Sequence, residues 1–355
     1  MKLALCCHAA PVLLAVGSCV GAQDNVARID ALLTRYHDEG QFNGSALVAE
    51  GGHVIYRKGF GLANVEWNIP NSPDTKFRIG SITKAFTTIL VLQLVEQGTL
   101  RLDGRITDYL PDFARKTGDR ITVQQLLTHT SGFPDYNNVP DVFRSVQSGL
   151  LSDDEILKRI AAYELLFEPG QRFGYSNDGY RVLGAIIERV ANKPYEQLLR
   201  ENILAPLEME ATGYSSRTAL VTRRASGYRK RPTGLENVPH YEASPASGMF
   251  SSVDDLLRFD QALYSDVLLS QRSKELMWQI VPSGNAYGWH VSRIGSARAE
   301  SRLKVMSEGA VFGYFARFVR LPQDHRTIIL LTNVRGPTNF LPAIEAALLD
   351  VLGPP

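Results

Sequence analysis

Both ends of the chain combine helical periodicity with the alternation typical of strands. Near the N-terminus, apolar residues at helical spacing predict a helix over Val26 to Tyr36. Two strands are predicted next, Gly44 to Glu50 and His53 to Lys58, joined by a turn at Gly51-Gly52. The C-terminal part shows the same two patterns, with strands predicted at 287–293, 315–321 and 326–332 and a closing helix at 337–352.

The middle of the chain has the period of helices. They are predicted at 82–96, 122–128, 153–163, 178–190, 194–203 and 253–263. Strands at both ends around a helical middle favour a mixed α/β fold of the α+β type, with one antiparallel sheet built from the two chain ends. We expect residues 23–80 and 281–355 to form this α/β lobe and residues 81–280 to form an inserted, mainly helical lobe. The active site is expected between the two lobes.

Residues 1–22 are typical of an export signal. Lys2 gives a weak positive end, an apolar stretch runs from Leu3 to Val16, and Val20-Gly21-Ala22 fits the small residues of a cleavage site. The stretch is shorter than the ~20 residues of a membrane span. We therefore expect an exported, periplasmic or extracellular protein that begins at Gln23. The alternatives are a lipoprotein modified at Cys19 and a cytosolic protein with an apolar N-terminus.

Composition narrows the function classes. The 355 residues include 38 Lys and Arg against 37 Asp and Glu, and 44% are hydrophobic. This near-neutral balance provides no field for attracting nucleic acid, so no nucleic-acid partner is predicted. The three cysteines, Cys6, Cys7 and Cys19, lie in the predicted signal. A mature chain therefore has no thiol for a disulfide, a metal site or catalysis.

One helix carries the main candidates for catalysis. From Ala85 to Val95 it has no charge and is apolar on nearly every side, which predicts a buried helix. Lys84 lies in its first turn and Ser81 three residues earlier, so the two side chains share a face. A buried lysine with a lowered pKa can accept the proton of a serine nucleophile. Ser301 and Lys304 repeat the spacing, but the residues around them predict an exposed surface pair.

A second polar group follows Glu168-Pro169-Gly170, which predicts a turn. Tyr175 and Asn177 stand on a short loop before the next helix and can both point into a cleft. A phenol beside a lysine can pass a proton to a leaving group, and a carboxamide can hold a substrate amide. Tyr136-Asn137-Asn138 fits the same pattern, and Tyr175 taken alone is more typical of packing than of catalysis.

Several motifs in order resemble the serine β-lactamase and D-alanyl-D-alanine peptidase family, specifically its class C-like branch, which also contains D-aminopeptidases and esterases. The matching segments are Phe77 to Phe86, Leu126 to Gly132, Glu168 to Gly170, Tyr175 to Asn177 with Gly179-Tyr180, Pro206 to Thr212, Gly248 to Ser252 with Asp255-Leu256, and Leu331 to Asn333. The resemblance implies that Ser81 is acylated, that Lys84 and Tyr175 share the acid–base work as a coupled pair, and that Asn177 contacts the substrate.

The third motif of that family, Lys/His-Thr/Ser-Gly on a strand beside the cleft, is altered here. The matching triplet is Ser307-Glu308-Gly309, so the cation that helps to hold a substrate carboxylate in the family is missing. Gly309 still permits close approach of a substrate, and the N–H of Ala310 is the candidate second donor to an oxyanion. Glu308 is either a specificity residue or, as we favour, a solvated charge at the strand edge.

Other polar residues are predicted to be structural. Thr122 to Gln125 is typical of a capping box, so His129 would cap the far end of that short helix rather than act in catalysis. The histidines lack the paired spacing of metal ligands and no Gly-rich phosphate loop is present, so neither a metal nor a cofactor is predicted. A basic segment is predicted to be a solvated loop, with contact to an anionic cell-envelope polymer as the alternative. Its members are Arg223, Arg224, Arg229, Lys230 and Arg231.

The sequence thus predicts a serine hydrolase that forms an acyl-enzyme at Ser81 and acts on a small-molecule or peptide amide or ester. An esterase or a peptidase of D-amino-acid peptides is favoured over an efficient β-lactamase or D-alanyl-D-alanine carboxypeptidase, because the third motif is altered. The alternative of another class is a non-catalytic, penicillin-binding-like sensor. The sequence does not determine the oligomeric state.

Overall fold

The computed structural model describes residues 17–139, 151–215, 219–238, 244–281, 285–294 and 301–353, with side chains from residue 24 onwards. Most of the predicted export signal therefore lies outside the described residues. Residues 17–22 begin the first helix, α1 (Gly17–Asp38). Among the helices of the described part, none is long and apolar enough to span a membrane.

A six-stranded antiparallel sheet forms the centre of the molecule. The strands are β1 (Gly44–Glu50), β2 (His53–Phe60), β3 (Leu62–Asn64), β4 (Ile69–Pro70), β5 (Phe77–Arg78), β6 (Gly213–Tyr214), β7 (Tyr228–Arg231), β8 (Gly234–Asn237), β9 (Met249–Ser251), β10 (His290–Ile294), β11 (Arg302–Val311), β12 (Tyr314–Leu321), β13 (Arg326–Thr332) and β14 (Val334–Arg335). The order in the large sheet is β10-β11-β12-β13-β1-β2, and Gly44 of β1 lies opposite Thr332 of β13. The predicted fold class, with an antiparallel sheet built from both chain ends, is confirmed.

Helices cover the sheet and fill the middle of the chain. After α1 they are α2 (Thr83–Glu96), α3 (Ile106–Tyr109), α4 (Arg115–Gly118), α5 (Val123–Leu127), α6 (Asp153–Ala161), α7 (Asn177–Ala191), α8 (Tyr195–Leu199), α9 (Val253–Ala262), α10 (Gln271–Met277) and α11 (Leu341–Leu352). Helices α1 and α11 share an apolar core with one face of the sheet, to which Ile29, Leu33, Ile344 and Leu348 contribute fully buried side chains. The division of the chain into two lobes stays a prediction.

Helix α2 lies in the second, larger core. Eleven of its 14 residues are buried, as its charge-free sequence predicts. Phe86 stacks on Phe259 of α9 with ring centroids 4.1 Å apart. Because α2 is packed on nearly every side, the residues at its N-terminal end have a fixed position relative to the sheet.

Two predicted bounds move because of single residues. The strand predicted at 287–293 begins only at His290, since Gly288 has a φ of +75°, which strand residues do not adopt. The closing helix begins at Leu341 rather than at 337. At this start, Asn339 Oδ1 accepts a hydrogen bond from Leu341 N at 3.1 Å.

The basic segment is solvated as predicted, with Arg223 and Arg231 exposed, but part of it is a strand rather than a loop. Strands β7 and β8 form a hairpin that β14 joins, and Arg229 and Arg231 lie on β7. Arg231 pairs with Glu236 of β8 at 3.0 Å, and Arg223 pairs with Asp74 at 3.3 Å. Because these cations have acidic partners within the protein, the segment has less free charge to offer an anionic polymer.

Candidate active site

Ser81 lies on a tight turn directly before α2. The turn, Gly80–Ile82, is a 3₁₀ turn, and Gly80 has a φ of +53°, a conformation that favours glycine. Thr83 anchors this turn, since its Oγ1 donates to Gly80 O at 2.7 Å and accepts from Met249 N at 3.1 Å. The candidate nucleophile therefore has a backbone that is tied to strand β9.

Lys84 is buried in the first turn of α2, with 2% of its surface exposed. Its Nζ lies 3.0 Å from Ser81 Oγ, 2.8 Å from Asn177 Oδ1 and 2.8 Å from Ala246 O. Burial lowers the pKa of Lys84 to about 7, against the opposing charge of the Asp135 carboxylate. A large share of the molecules therefore holds Lys84 as a neutral amine at neutral pH.

Tyr175 closes the group around Ser81. Its Oη lies 2.7 Å from Ser81 Oγ, and its ring centroid lies 4.9 Å from Lys84 Nζ. Although 42% of Tyr175 is exposed, packing around its phenol raises the pKa of the side chain above its usual value, so it is a neutral phenol at neutral pH. The structure thus brings Lys84 and Tyr175, which the sequence predicts as catalytic, each within hydrogen-bonding reach of Ser81 Oγ.

His129 lies behind Tyr175 and has the geometry of a structural residue. Its Nδ1 accepts a hydrogen bond from Ser176 N at 3.2 Å, and its ring stacks on that of Tyr175 at 4.6 Å. Burial, together with the positive charges of Lys84 and His290, lowers the pKa of His129 to about 3. The imidazole is therefore neutral and supports the loop that carries Tyr175.

Asn177 begins α7, and both ends of its amide are bonded within the protein. Oδ1 accepts from Lys84 Nζ, and Nδ2 donates to Asp135 Oδ2 at 2.9 Å. One Nδ2 hydrogen remains for the substrate contact that the sequence predicts. Neither Asp135 nor the carbonyl of Ala246 was predicted from the sequence. A backbone carbonyl has no sequence signal, and Asp135 is 42 residues away from its partner.

One edge of strand β11 faces the cavity beside Ser81. Strand β10 pairs with β11 only as far as Met306, which lies opposite His290. Beyond that point Ser307, Glu308, Ala310 and Val311 line the cavity that contains Ser81. Unpaired edge residues leave backbone N–H and C=O groups for a ligand, as an extended substrate requires.

Gly309 lets β11 approach the nucleophile turn. A Cβ on Gly309 would lie 1.8 Å from Ile79 O and 3.1 Å from Ser81 N, so only glycine fits. The approach is close on the other side as well, because a Cβ on Gly80 would lie 2.9 Å from Ala310 N. The backbones of Ser81 and Ala310 therefore adjoin, which is the arrangement that two N–H donors to an oxyanion need.

Glu308 is not the free edge charge that was predicted, although its side chain is 35% exposed. Glu308 pairs with Arg317 of β12, and Arg317 also pairs with Glu345 of α11. Lys304 pairs with Glu345 as well, so Lys304 is not the exposed residue that was predicted, whereas Ser301 is exposed. Alternate residues of a strand share a face, which places Lys304 and Glu308 together toward α11. The charge of Glu308 is therefore compensated within the protein.

Ser81 opens into a cavity of about 600 Å³ whose wall is rich in cations. Besides Lys84 it includes Arg78 and Arg181, which are 3% and 6% exposed, and Arg335 of β14. These arginines are isolated in the sequence, so no pattern predicted them. In the described part of the chain, no three His, Cys, Asp or Glu side chains are grouped so as to hold a metal ion.

Two bacterial proteins are similar to this chain over most of its length. A penicillin-binding protein of Bacillus subtilis (strain 168) is 29% identical over 354 residues, which cover 93% of this chain and 76% of that protein. The protein flp of Staphylococcus aureus (strain MW2) is 28% identical over 328 residues, which cover 88% of this chain. The chain spans only 64% of the flp protein, which is less than two thirds of its length.

Solved structures share the fold. The octameric penicillin-binding protein homologue from Pyrococcus abyssi has a TM-score of 0.79 and 29% identity, covering 90% of this chain and 76% of that one. The D-amino acid amidase from Ochrobactrum anthropi SV3 also has a TM-score of 0.79, with 25% identity, covering 93% of this chain and 98% of that one. The family model described as Beta-lactamase matches residues 29–352. This chain therefore belongs to the Beta-lactamase family.

Proposed function

We propose that this protein is a serine hydrolase that forms an acyl-enzyme at Ser81 and hydrolyses small esters or amides, including those of D-amino acids. The observation that carries the proposal is the position of Ser81 Oγ, 3.0 Å from Lys84 Nζ and 2.7 Å from Tyr175 Oη at the wall of a cavity. A hydroxyl in contact with a buried amine is the arrangement of an activated nucleophile.

The contacts of Lys84 orient its lone pair. A neutral amine has two hydrogens and one lone pair, and two protein acceptors, Asn177 Oδ1 and Ala246 O, take the two hydrogens. The lone pair then faces Ser81 Oγ. Since burial lowers the pKa of Lys84 to about 7, this neutral form is available at neutral pH. Lys84 accordingly accepts the Ser81 proton as Oγ attacks the substrate carbonyl carbon.

Tyr175 fits the second proton transfer. The attack forms an oxyanion, which accepts hydrogen bonds from the N–H groups of Ser81 and Ala310. When the C–O or C–N bond breaks, the phenol of Tyr175 donates its proton to the leaving group and regains one from Lys84. In the second half-reaction the same pair takes a proton from water while the water oxygen bonds to the acyl carbon. The bond between that carbon and Ser81 Oγ then breaks, Oγ regains a proton from the pair, and the carboxylic acid leaves.

The altered third motif supports uncharged substrates. At Ser307 a substrate carboxylate lacks a charge-assisted contact of about 1.5–3 kcal/mol, which is roughly a ten- to hundred-fold penalty. Neutral esters and amides do not need that contact. The fold shared with the D-amino acid amidase from Ochrobactrum anthropi SV3, at 25% identity, is in line with such substrates.

A second candidate, hydrolysis of β-lactams or of peptides that end in D-alanine, rests on Arg335. Its guanidinium lies 5.0 Å from the ring centroid of Phe315, whose register partner on β11 is Ala310. Within the described residues it pairs with no acidic side chain, and it lines the cavity that contains Ser81. It can therefore supply a cation for a substrate carboxylate. Arg335→Ala should then weaken acylation by benzylpenicillin and leave neutral esters unaffected.

Intact-mass analysis tests the proposal, with the protein exposed to an activated ester or to benzylpenicillin and turnover measured in parallel. The wild type should gain one acyl group, and it should turn over the ester faster than penicillin. Ser81→Ala should gain none, whereas the matched variant Ser301→Ala should react like the wild type. Labelling that survives Ser81→Ala refutes the nucleophile. A stable penicillin adduct without turnover of any ester identifies a non-catalytic sensor instead.

We also propose that the protein is exported. The proposal is supported by the apolar stretch from Leu3 to Val16 and by the small residues Val20-Gly21-Ala22. Mass analysis of the protein isolated from the cell envelope should give a chain that begins at Gln23, or a lipid-modified Cys19 if it is anchored. A chain that retains Met1 contradicts the proposal.

A further inference from the structure

The carboxylate of Asp135 is linked to the candidate catalytic amine, Lys84 Nζ, through the side-chain amide of Asn177. Asp135 is 8% exposed and precedes the 3₁₀ turn Tyr136–Asn138. Its Oδ2 accepts from Asn177 Nδ2 at 2.9 Å and from Asn177 N at 3.4 Å. Its Oδ1 accepts from Asn137 N at 2.9 Å and from Asn137 Nδ2 at 2.8 Å. Four N–H donors on two oxygens match an ionised carboxylate, which can only accept.

This carboxylate decides which way the Asn177 amide points. A carboxamide has one accepting end and one donating end. With Nδ2 bound to the anion, Oδ1 faces the other way and accepts from Lys84 Nζ at 2.8 Å. The reversed amide would set its NH₂ group against Lys84 and its oxygen against Asp135. Both contacts would then be repulsive, and Lys84 would lose one of the two acceptors that hold its hydrogens.

We propose that Asp135 is a positioning residue of the active site, which acts through Asn177 to aim the lone pair of Lys84 at Ser81. The inference rests on the function proposed above for Ser81 and Lys84. It adds a residue that has no hydrogen bond to the nucleophile and lies behind the cavity wall, bonded to Asn137 and Asn177 of that wall. Asp135 works in two ways, since its hydrogen bonds set the orientation of the amide and its charge acts on the lysine.

The charge of Asp135 gives the inference a measurable signature. Burial lowers the pKa of Lys84 to about 7, Asp135 acts in the opposite direction, and Arg181 of α7 adds to the lowering. Burial also raises the pKa of Asp178 to about 7, so this neighbour titrates in the same range and needs a control. The other titratable groups around Lys84 and Asp135 are Tyr136, Tyr163, Tyr175, Tyr180 and His129.

The test compares pH–rate profiles for acylation by a p-nitrophenyl ester in the wild type and in Asp135→Asn. The variant keeps the shape and one acceptor oxygen but removes the charge. Its maximal rate should fall by about 10- to 100-fold, as expected for a lost charge-assisted bond. The rising limb of its pH–rate profile should move to lower pH by about one unit, because the Lys84 ammonium loses a stabilising anion. The matched control is Asp178→Asn, because residue 178 has no bond to the Asn177 side chain. The rising limb of its pH–rate profile should lie at the same pH as in the wild type.

The outcomes separate this inference from the proposed function. A wild-type protein that forms no Ser81 adduct overturns the proposed function. The role of Asp135 is overturned if the wild type reacts and a folded Asp135→Asn has the same maximal rate and the same pH–rate profile. Thermal unfolding of each variant shows whether it is folded. If Asp135→Asn does not fold, Asp135→Glu answers the question, since it keeps the charge and should lose rate without moving the limb. A displaced limb in that variant contradicts the inference.

Discussion

Replacing Gly309 with alanine should separate the N–H of Ala310, the proposed second oxyanion donor, from Ser81, the proposed nucleophile. The added Cβ would lie 1.8 Å from Ile79 O, whereas ordinary contacts begin at 3.4 Å. Strand β11 must therefore move by more than an ångström away from the turn of Ser81, and the N–H of Ala310 moves with it. Loss of one oxyanion donor typically reduces kcat by ~10²–10³, or about 2.7–4 kcal/mol of transition-state stabilisation. We expect a loss of this size in kcat for a p-nitrophenyl ester, with little change in KM.

The assay needs a control for the substitution itself. Gly336→Ala is matched, because the nearest atom would lie 3.8 Å from its added Cβ and its rate should equal that of the wild type. Ala310→Pro removes the N–H and leaves Gly309 in place, so it should lose a similar factor. Thermal unfolding establishes that each variant is folded. A folded Gly309→Ala enzyme with the kcat of the wild type would refute the placement of the oxyanion donor.

Three further predictions concern the other residues of the site. Acylation should accelerate as the pH rises through about 7, because the pKa of Lys84 is lowered to about 7 and only its neutral form accepts a proton; a profile that is flat there would contradict this. Lys84→Ala and Tyr175→Phe should each slow single-turnover acylation by ~10²–10⁴-fold, and a folded variant that acylates at full rate would exclude that residue as a proton carrier. Ser307→His should raise kcat/KM for benzylpenicillin relative to the ester by about ten- to hundred-fold, and an unchanged ratio would mean that selectivity arises elsewhere.

The sequence correctly predicts those parts of this protein that have a long hydrophobic pattern or a chemically unusual residue. Strand β13 begins and ends where alternation and flanking residues place it, and β1 does the same. Helix α2 is recognisable because a charge-free run of this length has to be buried. Ser81 and Lys84 are recognisable because a lysine next to such a run needs a specific partner.

The remaining features depend on contacts between distant residues. Strands of two to four residues, such as β5 and β7, contain too few alternating positions for a reliable pattern. Lys304 looks exposed in the sequence because its partner, Glu345, belongs to a helix that only the fold brings beside it. Asp135 reaches Asn177 across 42 residues, and periodicity carries no information about such a pair.

The surroundings of Lys84 Nζ are assembled from parts of the chain that are 93 and 162 residues away, at Asn177 and Ala246. Before these segments meet, Lys84 is in water with its ordinary pKa of 10.5, and Ser81 has no base beside it. With the function proposed for Ser81, folding itself is then the step that activates this hydroxyl. Acylation of Ser81, as distinct from that of exposed lysines, should therefore report the fraction of molecules that have reached the native state.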